Sequence, residues 1–139
     1  MACDLQFTYA GNIKFKGATK IIELTPKVAQ DMFNVKKALV GFCGNADQWT
    51  NVVVWFANPE GKPPKLKGME LLMLTSDKQI YHASTLDNWL KLEEPHFAIG
   101  SGMPFAIAAM ASGKTTTEAI RVATKFDINT GLGVKTYKL

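Results

Sequence analysis

Residues 112–115 read Ser-Gly-Lys-Thr, which resembles the end of a phosphate-binding P-loop. The complete motif also needs a glycine five residues before the Gly-Lys pair, and a strand upstream. Ala108 stands at that position, and the residues before the motif predict a helix. Gly113 is typical of the end of one helix, and Thr115 with Glu118 is typical of the capped start of the next. We therefore expect no nucleotide site here.

Histidines and cysteines, the side chains most often found in catalytic or metal sites, are few and scattered. His82 and His96 lie 14 residues apart with no cysteine nearby, so structural or surface roles are expected for both. Cys3 lies in a predicted strand without an evident base, which favours a buried and inert thiol. Cys3 and Cys43 form neither a disulfide framework nor a metal-ligand pattern. No metal and no cofactor is predicted.

The hydrophobic periodicity predicts strands, one helix, further strands, two helices and a last strand. Asn45 is the expected N-cap of the first helix, with Gln48 as its capping-box partner. The predicted strands are 1–8, 20–24, 38–42, 70–75, 79–83, 89–92, 97–99 and 134–139, and the predicted helices are 45–58, 104–112 and 115–126, with a turn at 10–12 and a loop at 60–68. This order indicates an α+β fold, with helices packed on a largely antiparallel sheet system.

Length and composition are those of one globular domain spanning 1–139, with 47% hydrophobic and 20% charged residues. No apolar run approaches the roughly 20 residues that span a bilayer. The first residues lack the features of a signal peptide. We therefore expect a cytoplasmic protein without a membrane partner.

The net charge of +4 leaves a basic nucleic-acid-binding module as an alternative function. Much of the excess lies in lysines, among them Lys62, Lys65 and Lys67 in the loop. Only one arginine is present, and arginine is the better reader of bases and phosphates. Solvated lysines are the favoured interpretation, and nucleic acid is not the expected partner.

Three segments, taken in order along the chain, resemble the proteasome β-subunits and the bacterial HslV peptidases. Residues 4–21 are similar to a stretch in which an active-site aspartate precedes an active-site lysine by sixteen residues, a spacing that Asp4 and Lys20 keep. Residues 40–47 are similar to a strand-glycine-helix junction. Residues 98–131 carry Gly100-Ser101-Gly102 and then an Asp-x-x-Ser-Gly-like motif with Thr130 in place of serine.

This resemblance implies a four-layer αββα sandwich of the N-terminal-nucleophile (Ntn) hydrolase type and a threonine-type peptidase activity. In that family the hydroxyl of an N-terminal threonine attacks the amide, and its own α-amine acts as base. Lys20 would stabilise the deprotonated nucleophile, Asp4 would keep Lys20 charged, and the N–H of Gly44 would bind the oxyanion. The positions that would hydrogen-bond around the α-amine are Ser101, Asp127 and Thr130. Taken one by one, these residues also fit a solvated ion pair, a helix-capping glycine and turn residues.

The nucleophile itself is not among the matched residues. Family members begin with threonine about a dozen residues before the aspartate that Asp4 matches, and residues 1–3 are Met-Ala-Cys. Thr8 follows Asp4 and is no substitute. We expect either a native start upstream at a threonine, which the retained site residues favour, or a shortened relative that kept the fold for assembly or binding. In both cases the 139 residues alone should be inactive.

The resemblance also implies partners. The substrate would be a peptide or protein, the chain would form a homo-oligomer in which a ring is feasible, and an ATPase could act with it. Trp49, Trp55 and Phe56 support association, because they make the first predicted helix apolar on more than one side. The short loop at 60–68 stands where the bacterial peptidases carry a longer helix.

Overall fold

The computed structural model of the protein describes residues 1–9, 13–17 and 20–139. They form two compact units, one of Met1–Lys20 with His96–Lys138 and the other of Ile21–Pro95 with Leu139. The turn predicted at 10–12 lies outside the described residues, and the expectation of one domain stays a prediction. The elements are β1 (Ala2–Asp4), β2 (Gln6–Tyr9), β3 (Ile13–Lys16), β4 (Ile21–Glu23), α1 (Pro26–Phe33), β5 (Ala38–Gly44), a 3₁₀ helix (Ala46–Gln48), α2 (Trp49–Ala57), β6 (Met69–Thr75), β7 (Ile80–Thr85), β8 (Asn88–Leu92), α3 (Met103–Ala111), α4 (Thr116–Phe126) and β9 (Val134–Thr136).

The second unit is built on a five-stranded antiparallel sheet in the order β4-β5-β6-β7-β8. Its centre is the β5–β6 ladder, in which Val40 lies opposite Met73. Alternate residues of β6 from Met69 to Thr75 are buried, as expected for a strand with one face in the core. Leu39 and Leu71 are also fully buried. The strands predicted between 20 and 92 are thus confirmed, with ends shifted by one or two residues.

The helices of this unit differ from the sequence prediction in two ways. α1 was not predicted, although Thr25 caps it by accepting the N–H of Val28 at 3.3 Å and proline occupies its first turn. Thr25-Pro26 had indicated only the end of a strand. The predicted start at Asn45 is a 3₁₀ turn, because Asn45 accepts the N–H of Asp47 at 3.0 Å, and α2 begins only at Trp49. The prediction of a capping box between Asn45 and Gln48 is therefore wrong.

The first unit contains two antiparallel strand pairs, β1 with β9 and β2 with β3. The single strand predicted over 1–8 is broken at Leu5. The Leu5 N–H points to the carbonyls of Gly131 and Gly133, each at 3.2 Å, and its own carbonyl accepts the N–H of Gly17 at 3.0 Å. The break allows consecutive residues to pair with two different partner strands.

Helices α3 and α4 pack through small side chains and complete this unit. Their shared core is made of Ala106, Ala109, Ala119 and Ala123, which lets the two backbones approach closely. The Thr115–Glu118 capping box is present as predicted. The strand predicted at 97–99 is wrong: these described residues form no strand and connect to α3 through Gly100 at a φ of +93°.

Candidate active site

An ion pair between Asp4 and Lys20 lies in the first unit. The Lys20 Nζ is 3.0 Å from one carboxylate oxygen of Asp4 and 3.2 Å from the other. The side chains are only 16% and 15% exposed, for Lys20 and Asp4 respectively. Asp4 ends β1, opposite Val134 of β9, so the ladder fixes its backbone. A cation held by a carboxylate on both oxygens and mostly shielded from water can stabilise a neighbouring developing negative charge.

Two backbone N–H groups also point to the Asp4 carboxylate. Its Oδ1 accepts the N–H of Gln6 at 2.8 Å and that of Gly131 at 3.4 Å. Hydrogen bonds from fixed backbone donors limit the rotation of this carboxylate. The orientation of the Lys20 ammonium is therefore set by backbone from two distant parts of the chain.

A second cluster in the same unit is centred on Asp127, which follows α4. Its Oδ2 accepts the hydroxyls of Ser101 at 2.7 Å and Thr130 at 2.5 Å, and its Oδ1 accepts the N–H of Asn129 at 3.2 Å. Because both hydroxyls donate to the carboxylate, their oxygens keep lone pairs that can accept from another donor, such as an amine. Ser101 lies 26 residues before Asp127 and comes to it through the α3–α4 hairpin.

Two glycines allow these groups to pack so closely. A Cβ at Gly102 would lie 2.6 Å from the hydroxyl oxygen of Thr130, and a Cβ at Gly131 would lie 2.7 Å from the side-chain oxygen of Gln6. Both distances are shorter than real Cβ contacts. Since the Gly131 N–H points to Asp4 and the adjacent Thr130 bonds to Asp127, five of the six predicted site residues belong to one contact network. Gln6 was not predicted as a site residue, and its sequence signal is weak: a polar residue between the apolar Leu5 and Phe7.

Gly44, the sixth predicted residue, belongs to the second unit. It ends β5 at a φ of +90°, and a Cβ there would lie 2.1 Å from the backbone oxygen of Gly68. Only glycine fits such a conformation and contact. Its role as an oxyanion donor stays a prediction.

Further chemically capable side chains among the described residues include Cys3, Cys43 and His82. Burial raises the pKa of the Cys3 thiol, and the N–H of Lys20 offsets this only in part, so the thiol is not activated. His82 Nε2 and Cys43 Sγ both approach Glu70 Oε2, at 3.5 and 4.0 Å. Among the described residues no group of three or more His, Cys, Asp or Glu side chains could hold a metal ion. The backbone and side-chain groups of Thr115 that bond to Glu118 lower the pKa of that exposed carboxyl, and the capping box accounts for the P-loop-like segment.

No protein-family model and no curated protein sequence matches the chain. Solved structures do match it in fold, including the following three. BPH from Thiobacillus denitrificans, solved in complex with epoxomicin, has a TM-score of 0.65 at 16% identity, over 98% of this chain and 89% of that one. The eukaryotic HslV from Trypanosoma brucei has a TM-score of 0.66 at 19% identity, over 96% and 88%. Anbu, an ancestral beta-subunit from Yersinia bercovieri, has a TM-score of 0.67 at 11% identity, over 96% and 73%.

These likenesses confirm the fold class that the sequence motifs predicted. The chain mixes helices with antiparallel sheet and has the α+β fold of the proteasome-like and HslV-like Ntn hydrolases.

No helix among the described residues is long and apolar enough to cross a bilayer.

Proposed function

We propose that this chain provides the catalytic framework of a threonine-type peptidase that hydrolyses amide bonds. The observation that carries the proposal is the Asp4–Lys20 pair, which is shielded from water and held by backbone donors. A structural ion pair does not need a second cluster of carboxylate-bound hydroxyls beside it. Here such a cluster is joined to the pair through consecutive residues, Thr130 and Gly131.

In the proposed chemistry the Asp4–Lys20 pair and the cluster around Asp127 have different roles. The hydroxyl oxygens of Ser101 and Thr130 accept hydrogen bonds from the α-amine of an N-terminal threonine and hold it as the base. The Lys20 ammonium stabilises the threonine alkoxide as it attacks the substrate carbonyl. The amine takes the hydroxyl proton and passes it to the leaving amine, and water then hydrolyses the acyl-enzyme ester.

Residues 1–3 contain no threonine ahead of Asp4. The test therefore compares the 139 residues with an extended chain. The extended chain carries, in place of Met1, a strand-forming segment that begins with an exposed threonine about a dozen residues before Asp4. We expect hydrolysis of fluorogenic peptides by the extended chain and none by the 139 residues alone.

Lys20→Ala in the extended chain should remove most of this activity, because the alkoxide loses its stabilising cation. Lys27→Ala, at an exposed lysine of α1, is the matched control and should have no effect. Ser101→Ala should reduce activity less than Lys20→Ala, since it removes a neutral hydrogen bond. Its control is Ser112→Ala, at a serine whose exposed hydroxyl donates to the helix carbonyl of Ala108.

Two outcomes would contradict the proposal. Hydrolysis that survives Lys20→Ala would show that another mechanism operates. An extended chain that is folded and assembled but inactive would favour a catalytically silent structural or binding role. A nucleic-acid module would instead bind DNA or RNA with an affinity that falls steeply with salt and depends on Lys62, Lys65 and Lys67.

The proposed peptidase works as a homo-oligomer, and exposed apolar side chains support this. Phe126 and Ile128 are 64% and 72% exposed, and Phe105 stacks on Phe126 at a centroid distance of 5.4 Å. Apolar groups that remain in water favour association. Light scattering at micromolar concentration should detect an oligomer that Phe126→Glu weakens and Lys125→Glu, at the exposed neighbour, does not. A monomer at that concentration would contradict this.

If an ATPase acts with the oligomer in the cytoplasm, folded substrates would be degraded only with ATP.

A further inference from the structure

Gln6 is one of three buried polar or charged side chains among the residues whose burial the structure describes, with Thr75 and Thr130. Its side chain is 5% exposed, although β2 is a short strand near the start of the chain. A buried amide must be hydrogen-bonded to offset its loss of water. Its partners therefore show what the residue holds in place.

Both the backbone and the side chain of Gln6 form hydrogen bonds. Its backbone N–H donates to Asp4 Oδ1 at 2.8 Å, beside the Lys20 ammonium. Its side-chain Nε2 donates to the carbonyl of Ile128 at 2.8 Å, 122 residues away. A Cβ at residue 131 would lie only 2.7 Å from its side-chain oxygen.

The segment from Asp127 to Gly131 carries one cluster of the candidate site, and Asp4 anchors the other. We propose that Gln6 is a positioning residue that holds this segment against Asp4, so that the two clusters keep their spacing. The catalytic consequence rests on the proposed function; the positioning itself does not. Glutamine suits the task because it has the length to reach Ile128 and an N–H group for its carbonyl. Glutamate has the length but no donor, and methionine has neither donor nor acceptor of comparable strength.

The first arm of the test uses the 139 residues and needs no activity. Gln6→Met keeps the volume and removes the hydrogen bond. Hydrogen exchange at the Gly131 N–H should become about tenfold faster, the factor expected for losing one buried hydrogen bond, while the Val40 N–H in the second unit keeps its rate. Gln30→Met is the matched control, because the Gln30 amide donates on the surface, to the side-chain oxygen of Asn34 at 2.7 Å. An unchanged Gly131 rate, or equal acceleration at Val40, would overturn the proposal.

The second arm tests the direct contact by rescue. Gly131→Ala should speed exchange at residues 130 and 131, because its Cβ displaces the Gln6 side-chain oxygen. The same change in a Gln6→Ala background should add nothing further, since the obstructing atom is gone. Additive effects of the two substitutions would overturn the proposal.

The third arm uses the extended chain at a temperature well below its unfolding midpoint. Gln6→Met should lower kcat about tenfold and leave KM within about twofold, because it shifts the reacting groups and not the substrate contacts. A rise in KM with kcat unchanged would overturn the catalytic part. If the parent extended chain is inactive, the proposed peptidase function fails, and the first two arms alone decide whether Gln6 positions the segment.

Discussion

Breaking the Asp4–Lys20 pair should cost far more stability than breaking an exposed pair, and the chain contains a matched comparison. Asp4→Asn and Lys20→Met, made singly and together, form a double-mutant cycle that isolates the pairwise free energy. Asparagine keeps an oxygen that can accept the N–H groups of Gln6 and Gly131, so the cycle reports mainly the loss of charge.

The expected magnitude follows from distance and burial. At an effective dielectric constant of about 20, charges 3.0 Å apart attract by roughly 5 kcal/mol. Desolvation of side chains that are only 16% and 15% exposed offsets more than half of this. We expect a coupling free energy of about 2 kcal/mol, from the guanidinium or urea unfolding of the four proteins.

The control cycle is Glu23→Gln with Lys37→Met. That pair lies 3.9 Å apart with side chains 59% and 55% exposed for Lys37 and Glu23, so its coupling should be about 0.3 kcal/mol. Raising the salt concentration to about 0.5 M should remove the control coupling and leave most of the Asp4–Lys20 coupling, because shielded pairs are screened less. Equal couplings in the two cycles would refute the argument that Asp4 and Lys20 are held away from water.

Three further perturbations test other parts of the structure. In a Cys43→Ser variant, the Cys3 thiol should react with a disulfide reagent more slowly at pH 8 than it does after unfolding in urea, because burial raises its pKa; equal rates would contradict this. By linkage, the stabilising contribution of the protonated thiol is complete below the unfolded pKa and is lost as pH rises through the raised folded pKa. Gly44→Ala should cost more than about 3 kcal/mol, since its Cβ meets a backbone oxygen. Gly61→Ala, with a similar positive φ in open space, should cost only about 1–2 kcal/mol, and equal losses in denaturant unfolding would count against the contact. Trp55→Phe should change the unfolding free energy by less than about 1 kcal/mol, because the apolar area lost is offset by removing a buried indole N–H that has no partner among the described residues. A loss above about 2 kcal/mol would show that this N–H is satisfied.

The local features of the fold could be predicted because neighbouring residues encode them. The Thr115–Glu118 capping box joins residues three apart, and the structure contains it as expected. α1 was missed although its signal is equally local, a threonine cap followed by proline. Thr25-Pro26 is equally typical of a strand end, so the same two residues fit both the close of a strand and the start of a helix.

The candidate site also combines features that the sequence predicts with features that only the tertiary structure decides. Three segments in order along the chain predicted the Ntn-hydrolase fold by resemblance. They are the sixteen-residue spacing of Asp4 and Lys20, the strand-glycine-helix junction at 40–47, and the later Gly-Ser-Gly and Asp-x-x-Thr-Gly motifs. Only the tertiary structure decided that Leu5 breaks the first strand and that Gln6 is buried. Both outcomes depend on contacts with residues 128–133, more than 120 positions along the chain. Alternation of side chains along a strand can be derived from neighbouring residues, but which distant backbone supplies the next hydrogen bond depends on how the whole chain packs.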